Sequence, residues 1–390
     1  MKSLSKRTHN LSQSKIRAVT NMINAVGGIN LGQGICDLPT PDIIKAGTKQ
    51  AIDDDKSIYS NFAGIAPLRT AILNKAQNFN QIPAKSEAEV MVSVGSTGAF
   101  VSAIFALLDP GDEAILFEPF YGYHRNLIQL TGATPRYIAT RGKDWTIDFD
   151  ELEAAVNANT KLILVNTPAN PSGKVWSREE LQTLLGIAEK HGLYIITDEI
   201  YEYMVYDDHQ HISLAVLPDA YDRTITISGF SKTYNMTGWR IGYAVGPEAL
   251  LSKMGLLNDL FFICAPTPLQ HGVTEAFSLS EDYYIQMLED YKVKRSMMCD
   301  ALEQAGFTFS RPQGSYYVLA GFNDLVGKRP GFGSSQEACE TLIQEAGVAT
   351  VPGSAFYHDP DNAPPSLRFC YAKEFPVLEQ ACQQLINTWS

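Results

Sequence analysis

The segment from Ser228 to Gly242, SGFSKTYNMTGWRIG, carries the densest chemical signal in the chain. Lys232 lies between an apolar run and GWRIGYAVG, a segment that also has the composition of a buried strand. A buried lysine without a partner is costly, so its presence indicates a chemical role, and Schiff-base formation is the best-attested one. Arg240 follows closely and offers a bidentate cation for an anionic group.

Other polar residues follow apolar runs in the same way. Asp198 in TDEIY and Asn170 in NTPANPSG each come just after a strand-like segment. Taken alone, Asp198 is more typical of a turn-forming or capping acid, and NPSG is typical of a turn. The loop Gly95–Gly98, GSTG, joins a strand to an apolar helix, where backbone N–H groups suit an anion. Ordinary capping by Ser96 or Thr97 is the alternative there.

The elements that must position these residues alternate along the chain. We predict strands in EVMVSVG, EAILFEP, KLILVNTP, LYIITDE, RTITISG and RIGYAVG, with helical patterns between them. This alternation predicts an α/β fold with a mostly parallel sheet flanked by helices. After Tyr283 a long helix, short strands and a final helix predict a smaller α+β domain. We expect a large domain over residues 46–285 and a small domain from residues 1–45 and 286–390.

Composition narrows the classes of function. The 390 residues carry a formal net charge of −12, and without a basic patch this disfavours nucleic acid. No apolar run approaches a membrane span, and the polar N-terminus predicts no signal peptide. The six cysteines form no CxxC pair, so we expect a reducing, cytoplasmic location. His209 and His211 have no accompanying ligand cluster, so no metal site is predicted.

The segment from Gly229 to Gly242 resembles the lysine-attachment signature of class I aminotransferases, which are fold-type-I pyridoxal-phosphate enzymes. The resemblance extends from about Gly32 to Arg368, in the order expected of the family. It implies that Lys232 holds pyridoxal 5′-phosphate as a Schiff base. It also implies amino transfer from an L-amino acid to a 2-oxo acid by a ping-pong mechanism, with the released amine of Lys232 moving the Cα proton.

The same resemblance implies roles around the cofactor. Asp198 would pair with the pyridine nitrogen, and Tyr201 with Asn170 would donate to the phenolic oxygen. Tyr121 would stack on the ring, although a core aromatic residue is the usual alternative. Some relatives have a serine where this chain has Gly229, so Ser228 or Ser231 is a substitute. The phosphate ligands implied are Ser96, Thr97, Ser231, Arg240 and, across a homodimer interface, Tyr59 of the partner subunit. For Tyr59 a plain core or interface role is equally consistent with the sequence.

On the substrate side, the resemblance assigns the α-carboxylate to Arg368, with Asn170 and the backbone N–H of Gly34 nearby. A structural salt bridge is the alternative for Arg368. The segment GQGICD lacks the third glycine of a dinucleotide fingerprint, so we reject a nucleotide site there. Residues that indicate room for apolar or aromatic side chains are Ile35, Tyr316 and Tyr317.

Two other functions stay open at this point. Relatives on the same scaffold include carbon–sulfur lyases and aminocyclopropane-carboxylate synthases, because a fold does not fix a reaction. A non-catalytic effector-binding protein is disfavoured, since the resemblance begins by about residue 30 and leaves no room for a winged-helix module. Aspartate, alanine, methionine, glutamine and aromatic amino acids all remain candidate substrates, with glutamate and 2-oxoglutarate expected for one half-reaction.

Overall fold

A computed structural model of the chain describes Ser5, residues 15–34 and residues 36–389. The α-helices in this part of the chain are α1 (Lys15–Val26), α2 (Asp42–Asp53), α3 (Ala66–Asn78), α4 (Gly95–Leu107), α5 (Gly122–Thr131), α6 (Phe149–Ala155), α7 (Arg178–His191), α8 (Glu248–Phe262), α9 (Thr267–Thr274), α10 (Glu281–Gln304), α11 (Ser335–Thr341) and α12 (Phe375–Trp389). A π-helical turn continues α11 over Leu342–Ala346.

The strands in the same residues are β1 (Ile29–Asn30), β2 (Val90–Val94), β3 (Glu113–Glu118), β4 (Thr134–Arg141), β5 (Thr146–Ile147), β6 (Thr160–Asn166), β7 (Tyr194–Asp198), β8 (Thr224–Gly229), β9 (Ile241–Val245), β10 (Thr308–Phe309), β11 (Tyr317–Gly321), β12 (Val348–Ala349), β13 (Val351–Pro352) and β14 (Ser366–Cys370). Short 3-10 helices cover Glu87–Glu89, Leu214–Val216, Tyr221–Arg223, Glu275–Ser278, Asn323–Leu325 and Gly353–Phe356.

The central sheet has the strand order β2–β9–β8–β7–β6–β3–β4–β5. The neighbours from β8 through β7, β6 and β3 to β4 are parallel, whereas β9 runs antiparallel to both β2 and β8, and β5 runs antiparallel to β4. The predicted mostly parallel α/β sheet is therefore confirmed. Because β9 is reversed, it begins at the edge of the sheet where the parallel strands end.

Helices cover both faces of this sheet, and the side-chain alternation of the strands explains why. Leu162 and Leu164 of β6 belong to an apolar cluster that includes residues of α4 and α8. Ile163 and Val165, which alternate with them, belong to a second cluster with residues of α7. Successive side chains of a strand point to opposite faces, so a continuous apolar run is buried on both sides, as parallel strands require.

A second, four-stranded antiparallel sheet has the order β10–β11–β14–β13. The N-terminal segment reaches this part of the molecule, because β1 pairs in parallel with β12 through Ile29 with Val348 and Asn30 with Ala349. The expected packing of the first residues with the C-terminal region is consistent with this pairing. The domain limits near residues 45 and 286 fall inside α2 and α10, so the exact limits stay a prediction.

Local signals in the sequence locate several helix ends. The hydroxyl of Ser177 accepts from the backbone N–H of Glu180, and the carboxylate of Glu180 accepts from the backbone N–H of Ser177, so the local sequence forms a capping box at the start of α7. Helix α4 begins at Gly95, so the predicted loop Gly95–Gly98 forms the first turn of the helix. In the described part of the chain, no helix has both the length and the apolar character needed to cross a membrane.

Candidate active site

The predicted site residues gather at one edge of the central sheet. Asp198 ends β7, Lys232 follows the end of β8, and Gly95 follows the end of β2. Arg240 comes directly before β9, which is the reversed strand, and so lies at the same edge. This is the edge at which open α/β sheets bind their ligands.

The amine of Lys232 faces other residues of this edge. Its Nζ donates to the carbonyl oxygen of Gly34 at 3.3 Å and lies 5.7 Å and 5.4 Å from the ring centres of Tyr201 and Tyr316. No carboxylate of the described chain forms a salt bridge with it. Burial lowers the pKa of Lys232 to about 8. At pH 7 about one amine in ten is then neutral, compared with about one in three thousand at the ordinary pKa, which favours nucleophilic attack.

Asp198 is a buried carboxylate held by a neighbour that the sequence analysis missed. Its Oδ2 lies 3.0 Å from Nε2 of His124, and its Oδ1 accepts from the backbone N–H of Ile200 at 3.3 Å. The side chains of Asp198 and His124 are both buried. The sequence feature that could have indicated His124 is its position in the first turn of α5, three residues after Tyr121. The pair fixes an acceptor at the end of β7, which suits a protonated ring nitrogen.

The start of α4 forms a cradle for an anion. Val94 occupies the N-cap position and makes no side-chain capping bond, so ordinary capping by Ser96 or Thr97 is not observed. The first-turn N–H groups of a helix have no partners within it. The guanidinium of Arg240 lies so close to Gly95 that a Cβ there would overlap it. This arrangement combines a helix N-terminus with a bidentate cation.

The two serines near Lys232 differ in their surroundings. The hydroxyl of Ser228 donates to Oε1 of Glu202 at 2.7 Å, inside the protein behind β8. It is therefore directed away from the cradle, and the suggestion that Ser228 contacts the phosphate is wrong. Ser231 is buried and adjoins Lys232 in the loop after β8, so it stays the predicted phosphate ligand of the two.

A cavity connects the cradle with Asp198. Six of the residues that line it are Ser96, Thr97, Phe100, Tyr121, Asp198 and Ile227. The lining thus combines the first turn of α4, a fixed carboxylate and aromatic side chains. These features match a planar, phosphorylated pyridine ring, so the residues present fit pyridoxal phosphate.

Arg368 is almost fully buried, with 1% of its surface exposed. Its Nη1 donates to Oδ1 of Asn170 at 2.9 Å and its Nη2 to the carbonyl oxygen of Gly32 at 2.6 Å. The guanidinium lies 4.2 Å from the ring centre of Tyr317, and Nε is buried without a hydrogen-bond partner. No carboxylate of the described residues pairs with Arg368, so the alternative of a structural salt bridge is wrong.

The neighbours of this arginine are oriented by it. Oδ1 of Asn170 is committed to Arg368, which leaves the amide NH₂ of Asn170 as a donor. The hydroxyl of Tyr201 donates to that of Tyr317 at 3.3 Å, and burial raises the pKa of Tyr201 well above its usual range, so it stays a phenol. The carbonyl of Gly34 accepts from Lys232 and from the hydroxyl of Tyr316, whereas its predicted role was an N–H donor. Ile35 lies outside the described residues.

Tyr59 is 79% exposed. The alternative of a core tyrosine is therefore wrong, whereas the phosphate contact in the partner subunit and a plain interface role both stay predictions. The predicted stacking residue Tyr121 lies beside the cavity, edge-on to His124 with ring centres 5.3 Å apart.

A sheet edge that combines a buried lysine, a fixed carboxylate and an anion cradle is the arrangement expected of a fold-type-I pyridoxal-phosphate enzyme. A sequence model of aminotransferase classes I and II matches residues 26–385. The chain belongs to this aminotransferase family, and its predicted class and activity are confirmed.

Relatives and solved structures agree with this assignment. Human kynurenine–oxoglutarate transaminase 3 is 32% identical over 93% of this chain and 85% of its own length. Aromatic-amino-acid aminotransferase 2 of Thermococcus litoralis is 32% identical over 98% of this chain and 97% of its own. An Escherichia coli protein with a methionine aminotransferase function has a TM-score of 0.93 at 27% identity, covering 99% of this chain and 100% of that one. Thermus thermophilus aspartate aminotransferase with maleate has a TM-score of 0.90 at 29% identity, and both chains are covered completely.

Proposed function

We propose that this aminotransferase binds pyridoxal phosphate through Lys232, takes amino acids with uncharged side chains, and passes their amino group to 2-oxoglutarate. The observation that carries the proposal is Arg368, a buried guanidinium without a counter-anion in the described chain. Such a group matches a planar carboxylate, and every amino acid and oxo acid substrate carries one.

Arg368 and Lys232 are connected by a short chain of contacts. The ring of Tyr317 packs against the guanidinium, and its hydroxyl adjoins Gly34, because a Cβ at Gly34 would overlap it. The carbonyl of Gly34 in turn accepts from Lys232. A substrate whose α-carboxylate binds Arg368 therefore has its α-carbon within reach of Lys232, which is the geometry that proton transfer at Cα needs.

The cofactor, when bound, supplies an electron sink for the negative charge that develops at Cα. The protein's own groups do the rest. The amine of Lys232, with a pKa of about 8, accepts and returns the Cα proton. Asp198, fixed by His124, would accept a hydrogen bond from the protonated ring nitrogen, and the hydroxyl of Tyr201 would turn from Tyr317 to donate to the phenolic oxygen.

The preference for an uncharged side chain rests on a pocket that opens beside Asn170. Much of its wall is apolar and is formed by Leu116, Phe117, Pro119, Tyr121, Leu164 and Trp176. The cation in this wall, Lys174, is already paired with Glu180 at 2.7 Å. A substrate carboxylate in this pocket would have to compete for that lysine, whereas an aromatic or thioether side chain would not. Three of the four relatives described above have names that cite kynurenine, aromatic amino acids or methionine, which supports this choice, whereas the fourth is an aspartate aminotransferase.

A homodimer is supported by an exposed apolar patch near Tyr59. Its members are Ile58, Tyr59, Phe62, Leu256, Leu260, Phe261 and Ile263. The segment that contains Tyr59 and Phe62 contacts α8, because the amide of Asn258 donates to the carbonyl oxygen of Phe62 at 2.7 Å. A patch of this kind is typical of a protein interface, and it would bring Tyr59 of the partner subunit to the phosphate. A cytoplasmic location stays a prediction.

The dimer can be tested by placing a charge in the patch. Leu260→Glu is expected to give a monomer by sedimentation and to weaken cofactor binding, because Leu260, at 80% exposure, is the most exposed member of the apolar patch. Val293→Glu, at a residue of α10 that is 50% exposed, is the matched control and should leave the assembly unchanged. Equal sedimentation of the native protein and both variants would contradict the interface.

The activity is tested by loading the protein with pyridoxal phosphate and adding amino acids one at a time. Conversion of the visible absorption band to that of the pyridoxamine form, reversed by 2-oxoglutarate, is the expected result with kynurenine, phenylalanine or methionine. Borohydride reduction should fix the cofactor to the peptide containing Lys232. Ammonia release with each turnover would instead indicate a lyase, and a preference for aspartate would refute the assignment of the pocket.

A further inference from the structure

A buried network of charged and polar side chains lies directly behind the active-site edge. Glu199 and Glu202 follow Asp198 on the segment that leaves β7, and both are buried, at 0% and 5% exposure. Neither touches the cavity described above. Buried carboxylates are uncommon unless they are paired, so their partners indicate what they do.

The carboxylate of Glu202 is saturated by donors from three separate elements. Lys75 of α3 forms an ion pair with Oε2, and the amide of Asn80 donates to the same oxygen at 2.8 Å. Ser228 of β8 donates to Oε1 at 2.7 Å, and Tyr243 of β9 donates at 3.4 Å. Glu202 therefore ties the segment after β7 to the two strands that flank the lysine loop.

The partner ammonium is enclosed as well. Nζ of Lys75 lies 5.0 Å, 5.4 Å and 5.8 Å from the ring centres of Phe79, Tyr203 and Tyr243. Burial lowers the pKa of Lys75, and the charge of Glu202 opposes that shift. Phe79, the residue after α3, also stacks on Tyr203 with ring centres 4.3 Å apart. The end of α3 therefore contacts both Glu202 and Tyr203 of the segment after β7.

Glu199 completes the network from within the segment. It accepts from Thr197 at 2.8 Å, from Ser213 at 2.5 Å and from Nε2 of His211, which lies 2.8 Å away. Ligand atoms of Glu199, Glu202 and His211 lie within 4.8 Å of one another. A metal ion would have to displace Lys75 from Glu202, so the cluster is an internal ion-pair network.

Stability alone is a poor explanation for such a network, because a buried ion pair often adds little over an apolar pair of similar volume. Its position suggests a different role. Glu202 adjoins Tyr201 in the chain, and the Ser228 that it binds lies on the strand leading to Lys232. The network therefore contacts the chain segments that carry Asp198, Tyr201 and Lys232, on the side that faces away from the cavity.

We propose that Glu202, paired with Lys75, is a positioning residue that holds the segment from Asp198 to Tyr201 in register with the loop carrying Lys232. The inference rests on the proposed function, because it gives Tyr201 the task of donating a hydrogen bond to the phenolic oxygen of the cofactor. If the segment shifts, the hydroxyl of Tyr201 is displaced from the cofactor even though every residue that lines the cavity is unchanged.

The test compares four variants of the protein, and the conservative one among them is Lys75→Arg. Glu202→Gln removes the charge of the carboxylate and leaves Lys75 unpaired. A double variant, Lys75→Met with Glu202→Met, replaces the pair by two apolar side chains. Glu113→Gln is the matched control, because Glu113 is a buried carboxylate paired with Arg136 at 2.5 Å, at the opposite edge of the sheet. The measurements are thermal unfolding without cofactor and pH titration of the visible absorption band with it.

Glu202→Gln is expected to lower the unfolding temperature by several degrees and to raise the pKa of the absorption change by about half a unit or more. The double variant should recover the unfolding temperature but keep the shifted titration and a kcat reduced by about tenfold. Glu113→Gln should lose stability without any change in the titration. Lys75→Arg, which keeps the positive charge beside Glu202, should show the native titration.

A double variant that is as stable as the native protein and titrates like it would overturn the proposal, since the network would then be only structural. A shift of equal size in Glu113→Gln would overturn it too, because general destabilisation would explain both. If the native protein forms no visible band with the cofactor, the proposed function fails and this inference fails with it. A native band that titrates normally, with variants that match it, leaves the proposed function intact and removes only the positioning role.

Discussion

Replacing Arg368 with lysine tests whether the buried guanidinium binds a substrate carboxylate. Both terminal nitrogens of Arg368 are held in place, at 2.9 Å from Asn170 and 2.6 Å from Gly32, and Nε has no partner. A lysine cannot present two parallel donors to a carboxylate. Truncating one partner of a buried charge pair costs about 2–5 kcal/mol. We therefore expect kcat/KM to fall by about thirtyfold to several thousandfold.

The assay follows a single turnover of the cofactor-loaded protein with phenylalanine and with phenethylamine, which lacks the carboxylate. Arg368→Lys should slow the reaction of the amino acid and leave that of the amine almost unchanged. Arg295→Lys is the matched control, because Arg295 is also buried but is paired with Asp207 at 2.7 Å. An equal loss for both substrates would falsify the carboxylate role, since it would show that Arg368 only supports the fold.

Three further predictions concern the cofactor side. Burial lowers the pKa of Lys232 from 10.5 to about 8, so the cofactor-free native protein binds fewer protons than the unfolded chain between these values, and its stability rises with pH across this window. Lys232→Met should therefore be more stable than the native protein, and in urea unfolding this difference should shrink by about 3 kcal/mol between about pH 7 and pH 10.5. A constant difference would contradict the lowered pKa. Gly242→Ala should weaken cofactor binding in a fluorescence titration, because the new Cβ would overlap the backbone nitrogen of Ser96, whereas Gly186→Ala, with open space around it, should bind the cofactor normally. Asp198→Asn should still bind the cofactor but lose about 10²-fold or more in kcat, and an unchanged kcat would exclude Asp198 from the chemistry.

The sequence predicted the fold and the residues whose motifs are local. The strand runs, the capping box at Ser177 and the lysine loop each depend on residues that are adjacent in the chain. Their periodicity and composition were therefore sufficient to locate them. The reversal of β9 was not predicted, because RIGYAVG has the composition of a buried strand in either direction. Its direction follows from pairing with β2 and β8, which is a tertiary property.

The residues that the sequence analysis missed are those with non-local partners. His124 meets Asp198 across 74 positions of the chain, and Lys75 meets Glu202 in a network that no spacing rule connects. Ser228 was misassigned for the same reason, since its hydroxyl points to Glu202 and not to the anion cradle. The role of Tyr59 depends on a second chain, which one sequence cannot supply.

The pairing of β1 with β12 has a consequence for the order in which the protein can be assembled. During synthesis from the N-terminus, every strand of the central sheet emerges before β12 and β14 do, so the residues around Lys232 can dock first. The residues from Gly32 to Gly34 must wait for β12 and for Arg368, because the contact between Gly32 and Arg368 spans 336 positions of the chain. A nascent chain would therefore acquire its capacity for the cofactor before it could discriminate between substrates.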